Sequence, residues 1–263
     1  MSDRTAESFA VRERLRQVTR AGGSVGLTLG MLAAYLPHRR ARHKEADIDY
    51  RDAWVRAWAG AVLRVFRVRV DVVGSIPPRA GGRMVVSNHR SALDIGVVLS
   101  QFGGRMVSRH DIAGWPGLGA GAKLIGTVFV DRADAKSGMV TIRAMRRLLE
   151  EGDTVDVFPE GTTFAGDEVH EFHPGAFVAA VGARAPIVPV GLAYERGSGA
   201  AYVDETFGHH LARIAAAPPS RVVVAVGDPI PTEARRAKDV QAETRAKVTE
   251  LVARARARSD GRA

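Results

Sequence analysis

Apolar and polar residues change their spacing at about residue 67, and this change divides the chain into regions. Before that point apolar residues recur every three or four positions, which is typical of helices. After it, short apolar runs alternate with amphipathic stretches. Strands are predicted at residues 68–73, 84–87, 105–108, 128–130, 154–158, 187–194 and 222–226. Helices are predicted at residues 93–102, 118–125, 137–150, 175–181 and 233–258.

The alternation of strands and helices is typical of an α/β fold. We therefore predict a mixed, partly parallel sheet flanked by helices, with an N-terminal membrane-binding helical region. Three regions are expected. They are basic amphipathic helices at residues 1–66, an α/β domain at residues 67–230, and a polar helix with a basic tail at residues 231–263.

The N-terminal region has two interpretations that the sequence leaves open. Residues 21–36 carry no charge but include four glycines, and they fit either a membrane-contacting helix or a buried hairpin helix. Trp54 and Trp58 lie on one stripe of a helix over residues 47–66, beside several arginines. Such a helix lies in a lipid headgroup layer or docks on the protein core. No run reaches about 18 consecutive apolar residues, so no membrane-spanning helix is expected.

The formal net charge of +9 is concentrated at the two ends of the chain. Residues 1–70 carry 14 Lys and Arg and 7 Asp and Glu. Residues 231–263 carry nine Lys and Arg and five Asp and Glu, so the part of the chain between these two regions is nearly neutral. This distribution favours an anionic membrane surface as a partner over nucleic acid, since a nucleic-acid enzyme usually places its basic excess around its site. The absence of cysteine excludes disulfides, thiolate metal sites and a cysteine nucleophile.

One segment has the arrangement of an acid–base site. Residues 88–94, Asn-His-Arg-Ser-Ala-Leu-Asp, follow a predicted buried strand and open a helix. Ser91 is placed to cap that helix, which leaves Asp94 in the first turn, within reach of the imidazole of His89. A carboxylate on one imidazole nitrogen leaves the other as a base and stabilises the imidazolium that forms. A purely structural His–Asp cap is the alternative.

Two further strand ends carry polar side chains. Residues 126–132 form a strand that ends in Arg132, whose fork of donors suits an anionic group. Residues 158–163 place Glu160 in a Pro-Glu-Gly turn, and two threonines follow it. Taken alone, the first segment is better explained as a surface ion pair and the second as a polar turn. The adjacent His209 and His210 are predicted to lie at the surface or at a helix start.

In this order, these segments resemble the glycerolipid (lysophospholipid) acyltransferase family, which includes bacterial 1-acyl-sn-glycerol-3-phosphate acyltransferases. Residues 88–94 resemble its His-x4-Asp block, residues 126–132 its second block and residues 158–163 its third. The apolar run at residues 186–190 resembles the fourth. The resemblance extends from about residue 68 to about residue 227.

The resemblance implies a function for each block. His89 would be the general base on the acceptor hydroxyl, and Asp94 would orient it and stabilise its charge. The substrate-binding residues that it implies are Arg132, Glu160, Gly161, Thr162 and Thr163. The reaction would move a fatty acyl chain from acyl-CoA or acyl-acyl carrier protein to the free hydroxyl of a lysolipid, with 1-acyl-sn-glycerol-3-phosphate as the leading acceptor, in phospholipid biosynthesis.

The resemblance also bears on cofactors, partners and location. It implies no cofactor and no metal, and no nucleic acid is expected. The expected location is the cytoplasmic face of the inner membrane, as a peripheral or monotopic protein that contacts anionic lipid.

One position departs from the family pattern. Thr163 stands where phosphate-accepting members usually have an arginine, so either one phosphate ligand is missing or Arg90 or Arg109 replaces it. A lyso-aminolipid such as lyso-ornithine lipid is therefore the alternative acceptor. Outside the enzymes, the alternative is a catalytically silent lipid-binding scaffold, which the presence of His89 and Asp94 disfavours.

Overall fold

The computed structural model describes residues 2–39, 44–109, 126–130 and 135–261. The strands of this part of the chain are β1 (Val68–Val73), β2 (Arg83–Ser87), β3 (Arg105–Arg109), β4 (Val128–Val130), β5 (Thr154–Val157), β6 (Ile187–Tyr194) and β7 (Ser220–Val226). Its helices are α1 (Ser2–Arg39), α2 (Lys44–Val65), α3 (Leu93–Phe102), α4 (Ala135–Glu150), α5 (Gly175–Gly182), α6 (Phe207–Ala216) and α7 (Ala237–Ser259).

The strands form one sheet in the order β1-β7-β6-β2-β5-β3-β4. The five strands from β6 to β4 in this order run parallel to one another. β7 pairs antiparallel with β6, and β1 pairs parallel with β7. The predicted mixed, partly parallel sheet is therefore confirmed. β2 lies inside the sheet between β6 and β5, and all five of its residues are buried.

The residues of β2 show how the core is divided between the two faces of the sheet. Met84 and Val86 pack into the layer that α4, α5 and α7 cover, whereas Val85 packs into the layer around α3. This alternation follows from the two-residue period of a strand. Because α7 contributes Val248 and Val252 to the first layer, the C-terminal helix is part of the core of the sheet.

The first two helices pack against each other and against the sheet domain. Val55 and Leu63 of α2 are buried, and α2 lies along α3. Trp58 faces α1 because its Nε1 donates to Thr28 Oγ1 at 3.1 Å, and Trp54 meets the Tyr35 ring edge-on at 5.8 Å. The tryptophan stripe therefore lies mainly between the two helices, which corresponds to the docked alternative of the sequence prediction.

Two arginines of α1 bind the end of another helix. Arg16 Nε donates to the Ala216 carbonyl at 2.9 Å, and Arg20 Nη1 donates to the Ala217 carbonyl at 2.7 Å. These carbonyls lie at the C-terminus of α6, where a helix has unpaired acceptors and a partial negative charge. Part of the basic charge of α1 is thus used inside the protein.

The other face of α1 carries an apolar stripe in solvent. Val11, Leu15, Val18, Val25 and Leu29 are each between 59% and 66% exposed. Their spacing of three, four or seven residues places them on one face of the helix. Within the described residues, the structure has no helix both long and apolar enough to cross a membrane.

One helix was not predicted from the sequence, and one predicted helix is not tested by the structure. α6 was not predicted, because its apolar side is short and begins with Phe207-Gly208. The sequence signal for this helix is Thr206, which is its N-cap and whose hydroxyl accepts the His209 N–H at 3.2 Å. The helix predicted at residues 118–125 lies outside the described residues.

β5 buries a carboxyl group within the sheet. Both oxygens of Asp156 are buried, and neither has a hydrogen-bond partner within the described residues. Burial, together with the negative charge of Asp52, raises the pKa of Asp156 well above its usual range. The buried site therefore favours the protonated form of Asp156.

Candidate active site

The predicted polar segments meet at the carboxyl ends of three neighbouring parallel strands. β2 leads into Asn88 and His89, β5 leads into the turn that contains Glu160, and β6 ends at Tyr194. The carboxyl ends of parallel strands are the common place for ligand sites in α/β sheets. Asn88 joins two of these ends, since its side chain donates to the Leu192 carbonyl at 3.0 Å and accepts the Leu192 N–H at 2.8 Å.

His89 and Asp94 form the pair that their spacing predicts. His89 Nδ1 lies 2.9 Å from Asp94 Oδ2, with the His89 side chain 17% exposed and the Asp94 side chain completely buried. The hydrogen bond to the carboxylate assigns the imidazole proton to Nδ1. No described residue makes a hydrogen bond to Nε2, so that nitrogen is left with its lone pair.

The Asp94 carboxylate is held from four directions. Its Oδ2 accepts the backbone N–H groups of Arg90 and Ser91, at 2.5 Å and 2.8 Å, in addition to His89. Its Oδ1 accepts the hydroxyl of Tyr194 at 2.7 Å. Burial, together with the charge of Asp94, raises the pKa of Tyr194 well above its usual range, so the phenol remains a donor. The carboxylate can therefore orient His89 without moving itself.

Phe158 fixes the plane of the His89 ring. The two rings are stacked at 4.1 Å between centroids and are 8° from parallel. Phe158 follows β5, so the turn of the third sequence block contacts the first block directly. The imidazole is thus held by a carboxylate at one edge and an aromatic ring on one face.

Glu160 supports the loop that carries His89. Its side chain is completely buried, its Oε2 accepts the His89 N–H at 2.6 Å, and its Oε1 accepts the His170 N–H at 2.9 Å. Arg90 Nη1 lies 3.0 Å from Oε2 and forms a buried ion pair with it. The structure thus places Glu160 behind the loop that carries His89 rather than at an open surface.

Arg90 does not replace the missing arginine of the third block. Its side chain is only 6% exposed. Its Nε donates to the Gly166 carbonyl at 2.7 Å, its Nη1 to the His89 carbonyl at 2.7 Å, and its Nη2 to the Glu168 carbonyl. That hypothesis was wrong, because each nitrogen of this guanidinium already binds the protein.

The other predicted substrate-binding residues occupy different surroundings. Gly161 adopts a φ of 80°, which glycine reaches without strain. Thr162 is exposed, whereas Thr163 is half-buried and donates from Oγ1 to the Tyr202 carbonyl at 2.6 Å. Arg132 and the side chain of Arg109 lie outside the part that the structure describes.

The comparison with protein families agrees with this geometry. Residues 69–193 match the family model described as Acyltransferase. This domain belongs to the acyltransferase family. The match includes the His89–Asp94 pair and the Glu160 turn, and it confirms both the family resemblance and the prediction of an acyltransferase enzyme.

Two curated relatives of this acyltransferase differ in the acceptor that their names give. The chain is 28% identical over 227 residues to the lyso-ornithine lipid O-acyltransferase of Pseudomonas aeruginosa, an alignment that covers 84% of this chain and 87% of that one. It is 30% identical over 133 residues to the 1-acyl-sn-glycerol-3-phosphate acyltransferase of Neisseria meningitidis serogroup B. The second alignment covers 51% of this chain and 52% of the relative, so it spans about half of each.

A solved structure has the same fold as this acyltransferase. The 1-acyl-sn-glycerophosphate (LPA) acyltransferase PlsC from Thermotoga maritima matches with a TM-score of 0.77 over 95% of this chain and 98% of that chain. The identity is 19%, so the likeness concerns the fold alone. It supports the sheet and the flanking helices described above.

Two residues next to the site of this acyltransferase were not predicted from the sequence. Tyr194 has a recognisable signal, since it ends an apolar strand, but its contact with Asp94 depends on β6 lying beside β2. His210 was placed at the surface or at a helix start, and it lies in the first turns of α6 but is completely buried. Its neighbour His209 is 70% exposed.

Proposed function

We propose that this protein transfers a fatty acyl chain from acyl-CoA or acyl-acyl carrier protein to the free hydroxyl of a lysolipid. His89 acts as the general base. The observation that carries the proposal is the His89 Nδ1–Asp94 Oδ2 pair at 2.9 Å, in a partly exposed position of an acyltransferase-family domain. The names of the relatives, which give lysolipid acceptors, support the substrate class.

The geometry of the pair supports one path for the proton. His89 Nε2 takes the proton of the acceptor hydroxyl while the oxygen attacks the thioester carbonyl carbon of the donor. The imidazolium then has a proton on each nitrogen, and its charge faces Asp94. As the tetrahedral intermediate collapses, the carbon–sulfur bond breaks and the thiolate takes the proton from Nε2. His89 returns to its starting form, and the products are an ester and a thiol.

The attack is direct, without an acyl-enzyme. Ser91 is the one serine beside His89 in the motif, and its side chain has no exposure to substrate because the residue is buried. Its Oγ accepts the Leu93 N–H at 3.2 Å at the start of α3. The N-cap residue of α3 is Ala92 rather than the predicted Ser91, but this contact with Leu93 still supports a structural function of Ser91 over a nucleophilic one.

Two acceptors are candidates. 1-Acyl-sn-glycerol-3-phosphate is the leading one by the family pattern, and Arg132 is then its phosphate ligand. Lyso-ornithine lipid is favoured by a specific observation: Thr163 stands at the position of the family arginine and Arg90 is fully engaged within the protein. The alignment over most of its length with a lyso-ornithine lipid O-acyltransferase supports the second acceptor as well.

The protein works at the cytoplasmic face of an anionic membrane, with α1 as the contact. The exposed apolar stripe of α1 supports this assignment, because it offers aliphatic side chains beside Arg12, Arg14 and other basic residues. The contact is peripheral or monotopic in this proposal.

The test of the function is a substrate panel. Purified protein is incubated with acyl-CoA or acyl-acyl carrier protein and each of several lysolipids, and products are read by mass spectrometry. We expect a diacyl product from at least one lysolipid, and a fall in turnover of about 10²–10⁴-fold for His89→Ala. His209→Ala removes an exposed imidazole and serves as the control with wild-type turnover.

Each other outcome has a defined meaning. Lysolipid binding without product from any donor supports the silent lipid-binding scaffold instead. If His89→Ala keeps more than about a tenth of the wild-type turnover, His89 is not the base.

A further inference from the structure

A second histidine–carboxylate pair lies at the start of α3, next to the segment between His89 and Asp94. His210 of α6 is completely buried, and its Nδ1 lies 2.9 Å from Glu205 Oε1. Its Nε2 lies 3.3 Å from the backbone nitrogen of Ala92, within the motif segment between His89 and Asp94. The Tyr202 ring stacks on the imidazole at 4.5 Å, so the plane of His210 is also fixed.

The partners of His210 define its tautomer. A backbone N–H can only donate, so Nε2 must accept from Ala92 and carry no proton. Nδ1 lies 2.9 Å from Glu205 Oε1 and 3.0 Å from Arg213 Nη2, which is itself a donor. Because Nε2 of the neutral ring accepts from Ala92, Nδ1 carries the proton and donates it to Glu205. Arg213 Nη2 contacts the same carboxylate, and this hydrogen bond is the main cause that lowers the pKa of Glu205 to about 2. Burial lowers the pKa of His210, which agrees with a neutral ring.

Ala92 belongs to a series of backbone donors at the start of α3. The N–H groups of Arg90 and Ser91 go to Asp94 Oδ2, and the N–H of Leu93 goes to Ser91 Oγ. The N–H of Ala92 goes to His210 instead, which comes from a different element. The start of a helix has N–H groups without backbone partners, so each of these acceptors fixes one of them.

We propose that His210, oriented by Glu205, is a positioning residue for the His89–Asp94 pair. His210 accepts the N–H of Ala92 and so fixes the loop at this residue. The two preceding residues, Arg90 and Ser91, donate their N–H groups to the Asp94 oxygen that also binds His89. The inference rests on the proposed function in one respect, namely that His89 is the base. His210 is buried and acts through Ala92, so it does not touch the substrate.

A nucleophilic function for Ser91 is the competing interpretation of the same residues. Ser91 Oγ lies 3.4 Å from His210 Nε2, and a serine, a histidine and a carboxylate in series are the parts of a nucleophilic triad. However, Ser91 is buried with no exposed surface, and the lone pair of Nε2 already accepts from Ala92. The positioning function uses both facts, whereas a triad needs the serine accessible and the lone pair available.

Kinetics of three variants test the positioning function. We expect His210→Leu to lower kcat about ten- to hundredfold, because a small displacement of catalytic groups has an effect of this order, while the KM values of donor and acceptor stay within about twofold. His210→Gln should recover part of kcat, since an amide oxygen can accept from Ala92. His209→Leu, on the exposed neighbour that also contacts Glu205, is the matched control with wild-type kcat. A folded His210→Leu with wild-type kcat overturns the proposal.

Two spectroscopic measurements on the protein do not depend on activity. In the ¹⁵N NMR spectrum of the wild type, His210 should be neutral with its proton on Nδ1, and a proton on Nε2 overturns the proposal. Hydrogen exchange at the Ala92 amide should be faster in His210→Leu than in the wild type, relative to the core strands, and His210→Gln should restore part of the protection. Unchanged protection at Ala92 overturns it as well.

These measurements separate the two proposals. If the wild type acylates no lysolipid, the proposed function fails, and the tautomer and the Ala92 exchange still decide whether His210 holds the loop. If acyl transfer depends on His89 but not on His210, only the positioning proposal fails. An acyl adduct on Ser91, found by peptide mass spectrometry after incubation with acyl-CoA alone, overturns it in favour of the triad.

Discussion

The hydroxyl of Tyr194 donates to Asp94 Oδ1 at 2.7 Å, from the end of the strand next to the one that leads into His89. The opposite oxygen of Asp94 is the one that binds His89. One buried carboxylate therefore links the ends of β2 and β6, and the orientation of the base depends on a residue 105 positions later in the sequence.

Tyr194→Phe removes this donor and leaves the ring in place. A hydrogen bond to a charged group contributes about 1.5–3 kcal/mol, so we expect kcat to fall about tenfold or more and the free energy of unfolding to fall by a similar energy. Steady-state kinetics and urea unfolding measure the two effects. Wild-type kcat in a variant of unchanged stability contradicts the contribution assigned to Tyr194.

Glu160→Gln tests the support beneath the His89 loop. The variant removes the negative charge opposite Arg90. It also replaces one acceptor oxygen by an amide NH2, which cannot accept the hydrogen bonds that Glu160 accepts. Breaking a buried ion pair costs about 3–5 kcal/mol, and we expect a loss of this order in urea unfolding. Glu150→Gln is the control, because the exposed Arg146–Glu150 pair on α4 contributes at most about 0.5 kcal/mol. If Glu160→Gln and Glu150→Gln lower the free energy of unfolding equally, Glu160 does not support the His89 loop as a buried ion pair.

Two positions distinguish the acceptors. With a phosphate acceptor, Arg132→Ala should raise the acceptor KM strongly and leave the donor KM little changed, and Arg132→Lys should restore it only in part because lysine lacks the fork of donors. Thr163→Arg should then improve use of 1-acyl-sn-glycerol-3-phosphate. Thr163→Val is the control, since it loses the hydrogen bond to Tyr202 without adding charge.

Opposite results also have a meaning. With a zwitterionic aminolipid acceptor, Thr163→Arg should harm activity or leave it unchanged. If Arg132→Ala leaves the acceptor KM unchanged, Arg132 does not bind the headgroup of the acceptor.

Point substitutions on α1 test the membrane contact. Deleting the N-terminal region would uncover the core, because Val55 and Leu63 of α2 are buried against it. Leu15→Asp combined with Leu29→Asp should instead weaken flotation with phosphatidylglycerol-containing vesicles about tenfold or more, since each inserted leucine contributes about 1.5–3 kcal/mol. Val140→Asp changes an equally exposed apolar residue of α4 and should bind as the wild type does. Equal binding by both variants contradicts α1 as the contact.

The buried Asp156 predicts a pH dependence of stability. Its pKa is raised in the folded protein, so above about pH 4 the folded state binds more protons than the unfolded state. The free energy of unfolding should therefore fall as pH rises, by up to about 1.4 kcal/mol per pH unit, until the folded pKa is passed. Asp156→Asn should lack this slope in urea unfolding between about pH 5 and about pH 8.

Asp71 supplies the control for this experiment. Its side chain is ion-paired with Arg221 at 2.6 Å, and the pKa of Asp71 is lowered by that arginine and by Arg69, although its partial burial acts in the opposite direction. Asp71→Asn should therefore keep the slope that Asp156 produces. A slope that survives Asp156→Asn contradicts the assignment to Asp156.

Local patterns predicted most of the sheet and the central pair of the site. Asp94 lies five positions after His89 across a helix start, and that spacing alone brings the two side chains within reach. The contacts of Tyr194 and His210 could not be predicted in the same way, because they depend on which strands are neighbours and on where α6 packs. The position of Trp54 and Trp58 stayed open for the same reason, because two tryptophans on one helical stripe are as suited to a helix–helix contact as to a lipid layer.

The two carboxylates of the site are held largely by backbone amides, and this affects which substitutions the loops around it can tolerate. Asp94 accepts the N–H groups of residues 90 and 91, and Glu160 accepts those of residues 89 and 170. Every amino acid except proline supplies such a group. At position 170 the contact with Glu160 therefore requires an amide hydrogen and not an imidazole. The imidazole stacks on Phe164 at 3.7 Å, so another side chain that packs on this ring would retain the geometry beneath the base.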